Sequence, residues 1–290
     1  MTAAPGDRIR TLLRDRDIVL AVGAYDAQSA RLVEQAGGDL VYASGSGISA
    51  SVHGGPDLGL TTMTEMVDQV RGMAGAVGVP VFSDADTGYG GALNVRRTVR
   101  EYEQAGVAAV HIEDQTFPKR CGHFEGKGVV DRDEMLTRIS AAVDAADDLV
   151  VCARTDAAAS EGLDTAIDRA RACAEAGAEL LFVEAPETRA DLEQVGEALG
   201  EYPLLANLTA GGKTPVISAD ELAEMGFSVA LYPSAAQKAT IRILQQVYGE
   251  ILAEGTSEGI LDDIATWEER NRVTGLAEFE ALEDQYARDE

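Results

Sequence analysis

Acidic side chains recur in this chain just where short apolar runs stop. Pro80–Ser83 is followed by Asp84 and Asp86, Ala109–Ile112 by Glu113 and Asp114, and Leu180–Val183 by Glu184. Other runs end in different polar groups: Leu149–Ala153 in Arg154-Thr155-Asp156, Leu40–Ala43 in Ser44-Gly45-Ser46-Gly47, and Pro203–Ala206 in Asn207 and Thr209. Carboxylates gathered in one place repel each other unless a cation lies among them. Oxygen donors without His or Cys suit a hard divalent ion, Mg2+ or Mn2+. Asp84, Asp86 and Glu113 are therefore the expected metal ligands. Arg154, emerging from an apolar strand among acids, reads as a bidentate clamp for a carboxylate. Ser44, Gly45 and Ser46 offer backbone N–H groups to an anion. Glu184, Asn207 and Thr209 extend the expected substrate-binding set.

A second segment concentrates different chemistry. In Lys119-Arg120-Cys121-Gly122-His123, two cations and a histidine flank one thiol. Such neighbours lower a thiol's pKa and make it a usable acid, base or nucleophile. The chain has only four lysines, and two of them, Lys119 and Lys127, fall here. Gly122 and Gly126 would let the loop open and close. Lys119, Arg120 and Gly122 are expected to touch substrate, and Cys121 and His123 to act in catalysis. The other two cysteines, Cys152 and Cys173, sit in apolar contexts and read as core. An odd count of three argues against a disulfide framework, and no spacing suits zinc.

Positioning these groups requires a regular frame. Eight near-continuous apolar runs read as buried parallel strands: Ile18–Gly23, Leu40–Ala43, Pro80–Ser83, Ala109–Ile112, Leu149–Ala153, Leu180–Val183, Pro203–Ala206 and Val229–Tyr232. Amphipathic helical patterns lie between them at Ala27–Gln35, Thr64–Ala76, Asn94–Gln104, Arg132–Ala146, Leu163–Ala176, Arg189–Leu199, Ala219–Met225 and Ser234–Ile251. Several end at a glycine, the usual helix stop. Eight βα units in 290 residues predict an α/β chain folded as a (β/α)8 barrel. A doubly wound open sheet is the alternative, but GAYDAQSA after the first run is no phosphate-binding turn. Residues 261–290 read as a polar helical tail, and with no long linker the chain reads as one domain over 1–290. In a barrel the strand ends share one rim, which gathers the polar groups above into one site.

Composition excludes other classes. With 24 Lys+Arg against 50 Asp+Glu, the net charge is −26. A nucleic-acid partner wants a basic face. No stretch is long and apolar enough for a membrane span. The N-terminus lacks the apolar core of a signal peptide, so a cytoplasmic enzyme is expected. Carboxylates spread over the whole chain, with arginine supplying nearly all the positive charge, suggest adaptation to a salt-rich cytoplasm.

The segments SGSG at 44–47, PDLGL at 56–60, DADTGYG at 84–90, HIEDQ at 111–115, KRCGH at 119–123, ARTDA at 153–157, EA at 184–185 and N-L-T at 207–209 carry a resemblance to the isocitrate lyase/phosphoenolpyruvate mutase superfamily. KRCGH places the chain with the lyase branch, since the mutase branch lacks that cysteine. The resemblance implies a Mg2+-dependent (β/α)8 barrel, a small carboxylate substrate, and a homotetramer that exchanges a C-terminal helix between subunits. It implies cleavage of a 2-hydroxy acid, with Cys121 protonating the product carbanion. Asp57, in the PDLG loop, and Tyr42 are alternative bases. Lys238 stands where the family carries an arginine, and so joins the substrate-binding set. The short chain is similar to 2-methylisocitrate lyases, 2,3-dimethylmalate lyases and oxaloacetate hydrolases, and GGKTP at 211–215 looks more like the dimethylmalate type. Isocitrate cleavage and a mutase-like phosphoryl transfer are further alternatives. Val183 and Leu231 are expected to line the pocket for the substrate's alkyl group.

Overall fold

The computed structural model describes residues 3–120, 122, 126 and 128–287. Cys121 and His123 lie outside the described residues. The chain divides into two compact units, Met1–Ala235 and Ala236–Glu290.

In the first unit eight strands follow in order: β1 (Val19–Ala24), β2 (Leu40–Ala43), β3 (Val81–Asp84), β4 (Ala109–Glu113), β5 (Val150–Thr155), β6 (Leu180–Val183), β7 (Leu204–Asn207) and β8 (Val229–Tyr232). Each pairs in parallel with its sequence neighbour, and β1 closes on β8. This is the (β/α)8 barrel expected from the apolar runs. The helices follow closely too, as with Ala27–Gln35 and Arg189–Leu199. Capping boxes start four of them, at Asp26/Ser29, Thr62/Glu65, Thr188/Asp191 and Ser218/Glu221. There a side chain satisfies a backbone N–H that the helix leaves open.

Strand side chains alternate between two faces, and the core divides accordingly. One buried cluster fills the barrel and includes Leu40, Tyr42, Phe82, Phe182, Leu205 and Leu231. The other lies between strands and helices and includes Val41, Val110, Ile112, Val151, Val183 and Ala206. Burying each large apolar side chain contributes roughly 1.5–3 kcal/mol. The helix Pro5–Asp15, which the apolar pattern did not announce, sets Ile9 into the barrel cluster, with Leu12 and Leu13 packed against it.

The second unit contains most of the helix Ala235–Glu254, a short 3-10 turn at Glu258–Ile260, and the helices Trp267–Thr274 and Leu276–Tyr286. Within it Gln246 donates to Asp263 at 2.7 Å and Ile260 is buried. Among the described residues no helix is long and apolar enough to cross a membrane.

Candidate active site

Period-two alternation carries past the apolar interior to the C-terminal ends of the strands. Two residues beyond Phe82 stands Asp84, and two beyond His111 stands Glu113. Arg154 follows Cys152, Glu184 follows Phe182, and Asn207 follows Leu205. All of these are buried. One rim thus collects the polar groups, as the (β/α)8 fold requires of its active face.

The acids and cations form two linked groups. In the first, the Lys119 ammonium pairs with both Asp57 and Asp86. Asp86 has a left-handed φ of 48°, and its N–H donates to Asp84 Oδ1 at 2.9 Å. This is an Asx turn made by Asp84, which holds the backbone that carries Asp86. In the second, Arg154 donates to Asp156 through Nε and Nη2, at 2.9 and 3.1 Å. Arg154 also lies 3.3 Å from Glu113 and 3.8 Å from Glu184, with the Phe182 ring 5.1 Å from its Cζ. Asn207 donates to both Glu184 oxygens at 3.3 Å, and Thr209 donates to Asn207 at 3.1 Å.

Burial and neighbouring charge set the protonation states. Burial, partly offset by Lys119 and reinforced by Asp84, pushes Asp86 up to about 7. Burial also raises Glu113 well above the carboxylate range, against the pull of Arg154. Asp84 goes the other way: burial opposes its ionisation, but His111, Lys119, Arg154 and the Asp86 N–H outweigh that, so its pKa falls. For Lys119 and Arg154 burial disfavours the charge, yet the surrounding carboxylates keep both firmly cationic. Beneath this layer Tyr42 Oη hydrogen-bonds His111 Nε2 at 2.8 Å. Burial lowers His111 to about 4, so the ring is neutral at pH 7.

A divalent cation fits this donor set. Asp86 Oδ1 and Glu113 Oε1 are buried and, among the described residues, have no hydrogen-bond partner. Two such oxygens are costly unless something positive meets them. Asp86 Oδ1 faces Lys119 as an ion pair without hydrogen-bond geometry. Among the described residues no three His, Cys, Asp or Glu side chains already form a closed ligand set. The donors are all oxygens, the chemistry Mg2+ or Mn2+ prefers.

The remaining expected residues fall as follows. Ser44 caps the helix Gly45–His53, and Ser44 Oγ lies 3.2 Å from Ser46 Oγ. Gly45 sits so close to Asp84 that any Cβ there would strike its carboxylate. Gly122 approaches equally closely: a Cβ on it would lie 2.5 Å from Arg154 Nη2 and 2.6 Å from Glu184 Cδ. Arg120 has an exposed side chain, and its backbone is tied by Gln115 on both sides at 2.8 and 2.9 Å. Lys238 lies on the helix Ala235–Glu254, in the second unit. Leu231 belongs to the barrel interior, but Val183 belongs to the strand–helix layer, so it cannot line the pocket. Its neighbour Phe182 faces inward instead. Phe182, His111 and the Asp156 grip on Arg154 were given no role from sequence. Strict alternation from Glu184, Glu113 and Arg154 was the signal that could have found them.

The chain matches the phosphoenolpyruvate phosphomutase family model over residues 9–252, and it belongs to the phosphoenolpyruvate mutase/isocitrate lyase superfamily. Among curated relatives, a 2,3-dimethylmalate lyase of Eubacterium barkeri is 42% identical, covering 97% of both chains. A 2-methylisocitrate lyase of Aeropyrum pernix is 41% identical, covering 98% of this chain and 92% of its own. The crystal structure of a 2,3-dimethylmalate lyase aligns with a TM-score of 0.93 at 39% identity, covering 98% and 96% of the two chains. An oxaloacetate acetylhydrolase bound to 3,3-difluorooxaloacetate also aligns at 0.93, with 34% identity and 97% of each chain covered. A phosphonopyruvate hydrolase complexed with oxalate and Mg2+ aligns at 0.89 with 28% identity, covering 99% and 100%.

Proposed function

We propose that this protein is a Mg2+-dependent carbon–carbon lyase that cleaves 2-methylisocitrate to pyruvate and succinate. The observation that carries the reading is the rim itself. Buried carboxylates, two of whose oxygens accept no hydrogen bond among the described residues, stand beside two enforced cations, Lys119 and Arg154. Such a site holds an ion and a polyanionic substrate together. The named 2-methylisocitrate lyases among the relatives support the choice of substrate.

Asp84, Asp86 and Glu113 would hold Mg2+ or Mn2+, which would polarise the hydroxyl and adjacent carboxylate of a 2-hydroxy acid. Asp57, held by Lys119, removes the hydroxyl proton. It suits that role better than Tyr42, whose pKa is raised far above normal by burial and by Asp84. The carbon–carbon bond then breaks, leaving a 2-oxo acid and the enediolate of a dicarboxylate. Arg154 and His123 meet that developing charge, with Asn207 and Thr209 as further donors. Ser44, Gly45 and Ser46 orient a substrate carboxylate, and the loop of Lys119, Arg120 and Gly122 closes over it against Glu184. Cys121 delivers the proton that completes succinate. Closure excludes bulk water, which would otherwise protonate the enediolate without control.

A second substrate, 2,3-dimethylmalate, is favoured by GGKTP at 211–215 and by the Eubacterium barkeri relative. The two differ in a pocket preference worth roughly 1–3 kcal/mol per methylene. The protein works in the cytoplasm, in propionate breakdown, as a homotetramer with an exchanged C-terminal helix. Exposed Trp267, Phe279 and Tyr286 on the second unit are apolar surface that a partner chain would cover. The −26 charge fits a salt-rich interior. The test is kinetic: kcat/KM for 2-methylisocitrate against 2,3-dimethylmalate, with Cys121→Ser as control. Preference for the first by tenfold or more, and loss of most turnover in Cys121→Ser with substrate binding retained, is the expected outcome. Near-normal kcat in Cys121→Ser would refute the assigned proton donor.

A further inference from the structure

Arg154 is surrounded by carboxylates on three sides, Glu113, Asp156 and Glu184. A guanidinium in that setting could turn towards any of them. Asp156 holds it by two parallel bonds, the geometry that fixes a guanidinium plane. What holds Asp156 lies on the other side of the barrel wall. Alternation puts Glu113 and Arg154 inside, and Asp114 and Thr155 outside. Asp114 is buried there. Its Oδ1 accepts the Asp156 backbone N–H at 2.8 Å, and its Oδ2 accepts the Thr155 hydroxyl at 2.7 Å.

Asp114 is itself anchored by a buried arginine from the helix Leu163–Glu175. Arg169 Nη1 donates to Asp114 Oδ2 at 3.4 Å and to the Val130 carbonyl at 2.8 Å. Its other face grips Glu161 at 3.0 and 3.1 Å. Val130 lies just beyond the segment 116–128 and pairs back to Asp114, donating to its carbonyl at 2.8 Å. Thus the Asp114 carboxylate ties the end of β4 to the end of β5 and, through Arg169, to Val130, whose N–H the Asp114 carbonyl also accepts.

We propose that Asp114 is a positioning residue that aims Arg154 at the substrate by fixing Asp156 from behind the barrel wall. The proposal rests on the reading of Arg154 as a substrate clamp. A plain structural role, joining β4 to β5, would cost stability without depending on what side chain stands at 154.

A double-mutant cycle separates the two roles. kcat/KM is measured for wild type, Asp114→Asn, Arg154→Lys and the pair, each checked for cooperative thermal unfolding. Asp114→Asn alone is expected to lower kcat/KM by about 30-fold, since a clamp misplaced by a fraction of an ångström loses on the order of that much. In the Arg154→Lys background the same change is expected to cost less than about threefold, because no forked group remains to be aimed. An equal loss in both backgrounds would overturn the positioning role while leaving Arg154 as a clamp. Arg154→Lys within threefold of wild type would instead remove the clamp reading, and the proposal with it. If Asp114→Asn does not fold, Thr155→Val, which removes one of the three donors to Asp114, is taken through the same cycle and judged by the same criterion.

Discussion

The contact of Gly122 with Arg154 and Glu184 permits a sharp test of loop closure. Gly122→Ala adds one methyl at a backbone position alanine can adopt, since Gly122 is not among the positive-φ glycines. That methyl carbon would lie 2.5 Å from Arg154 Nη2 and 2.6 Å from Glu184 Cδ. Comfortable contact begins near about 3.5 Å, so something must move by about 1 Å. Neither partner yields cheaply, because Asp156 grips Arg154 and Asn207 ties Glu184. The loop therefore moves, and Lys119 on it moves with it. A misplacement of about 1 Å costs on the order of 100-fold in rate, or about 2.7 kcal/mol of transition-state stabilisation. Steady-state kinetics should show that loss in kcat/KM, while calorimetry should show a Tm shift of less than about 3 °C, because Gly122, Arg154 and Glu184 belong to neither apolar core cluster. A Gly122→Ala enzyme within threefold of wild type would refute the close approach on which the closed site depends.

Asp86→Asn should abolish activation by Mg2+, and isothermal titration should show weaker ion binding. Full activity of the native enzyme in excess chelator would contradict the assigned ligands. Tyr42→Phe should destabilise the fold by about 1–3 kcal/mol, because it leaves His111 Nε2 with only Asp84 Oδ1, at 3.5 Å, in a buried layer where Nδ1 already lacks a partner among the described residues. Chemical denaturation checks this, and an unchanged midpoint would refute it. A chain of net charge −26 should gain Tm, by roughly 5 °C, between 0.1 and 2 M KCl, as salt screens its self-repulsion. A flat or falling Tm would argue against adaptation to salt.

Much of the fold was legible because its strands are continuous apolar runs and its helices carry clear capping residues and glycine stops. Three helices were not, the shortest being Ala158–Glu161. Pro5–Asp15 offers little more than Ile9, Leu12 and Leu13 as an apolar stripe among charged residues, and its role as a plug depends on the barrel being closed. Gly45–His53 starts in Gly-Ser-Gly, poor helix formers, and is nucleated by the Ser44 cap. The site acids were legible because each follows its strand directly. Partnership was less so: nothing in Arg154-Thr155-Asp156 says that the third residue grips the first. Nor does Glu113-Asp114 announce that the two carboxylates face opposite sides of a wall, one towards substrate and one towards Arg169. Val183 flanks the end of β6, but alternation turns its side chain towards the helices.

The most direct test of the central claim is product analysis by NMR. The purified enzyme would be incubated with Mg2+ in molar KCl, separately with 2-methylisocitrate, 2,3-dimethylmalate, isocitrate and oxaloacetate. Stoichiometric pyruvate and succinate from 2-methylisocitrate, lost on chelation, is the predicted result. Intact 2-methylisocitrate beside rapid cleavage of another acid would contradict the assigned substrate. No carbon–carbon cleavage of any of the four by folded, Mg2+-loaded protein would contradict the lyase assignment itself.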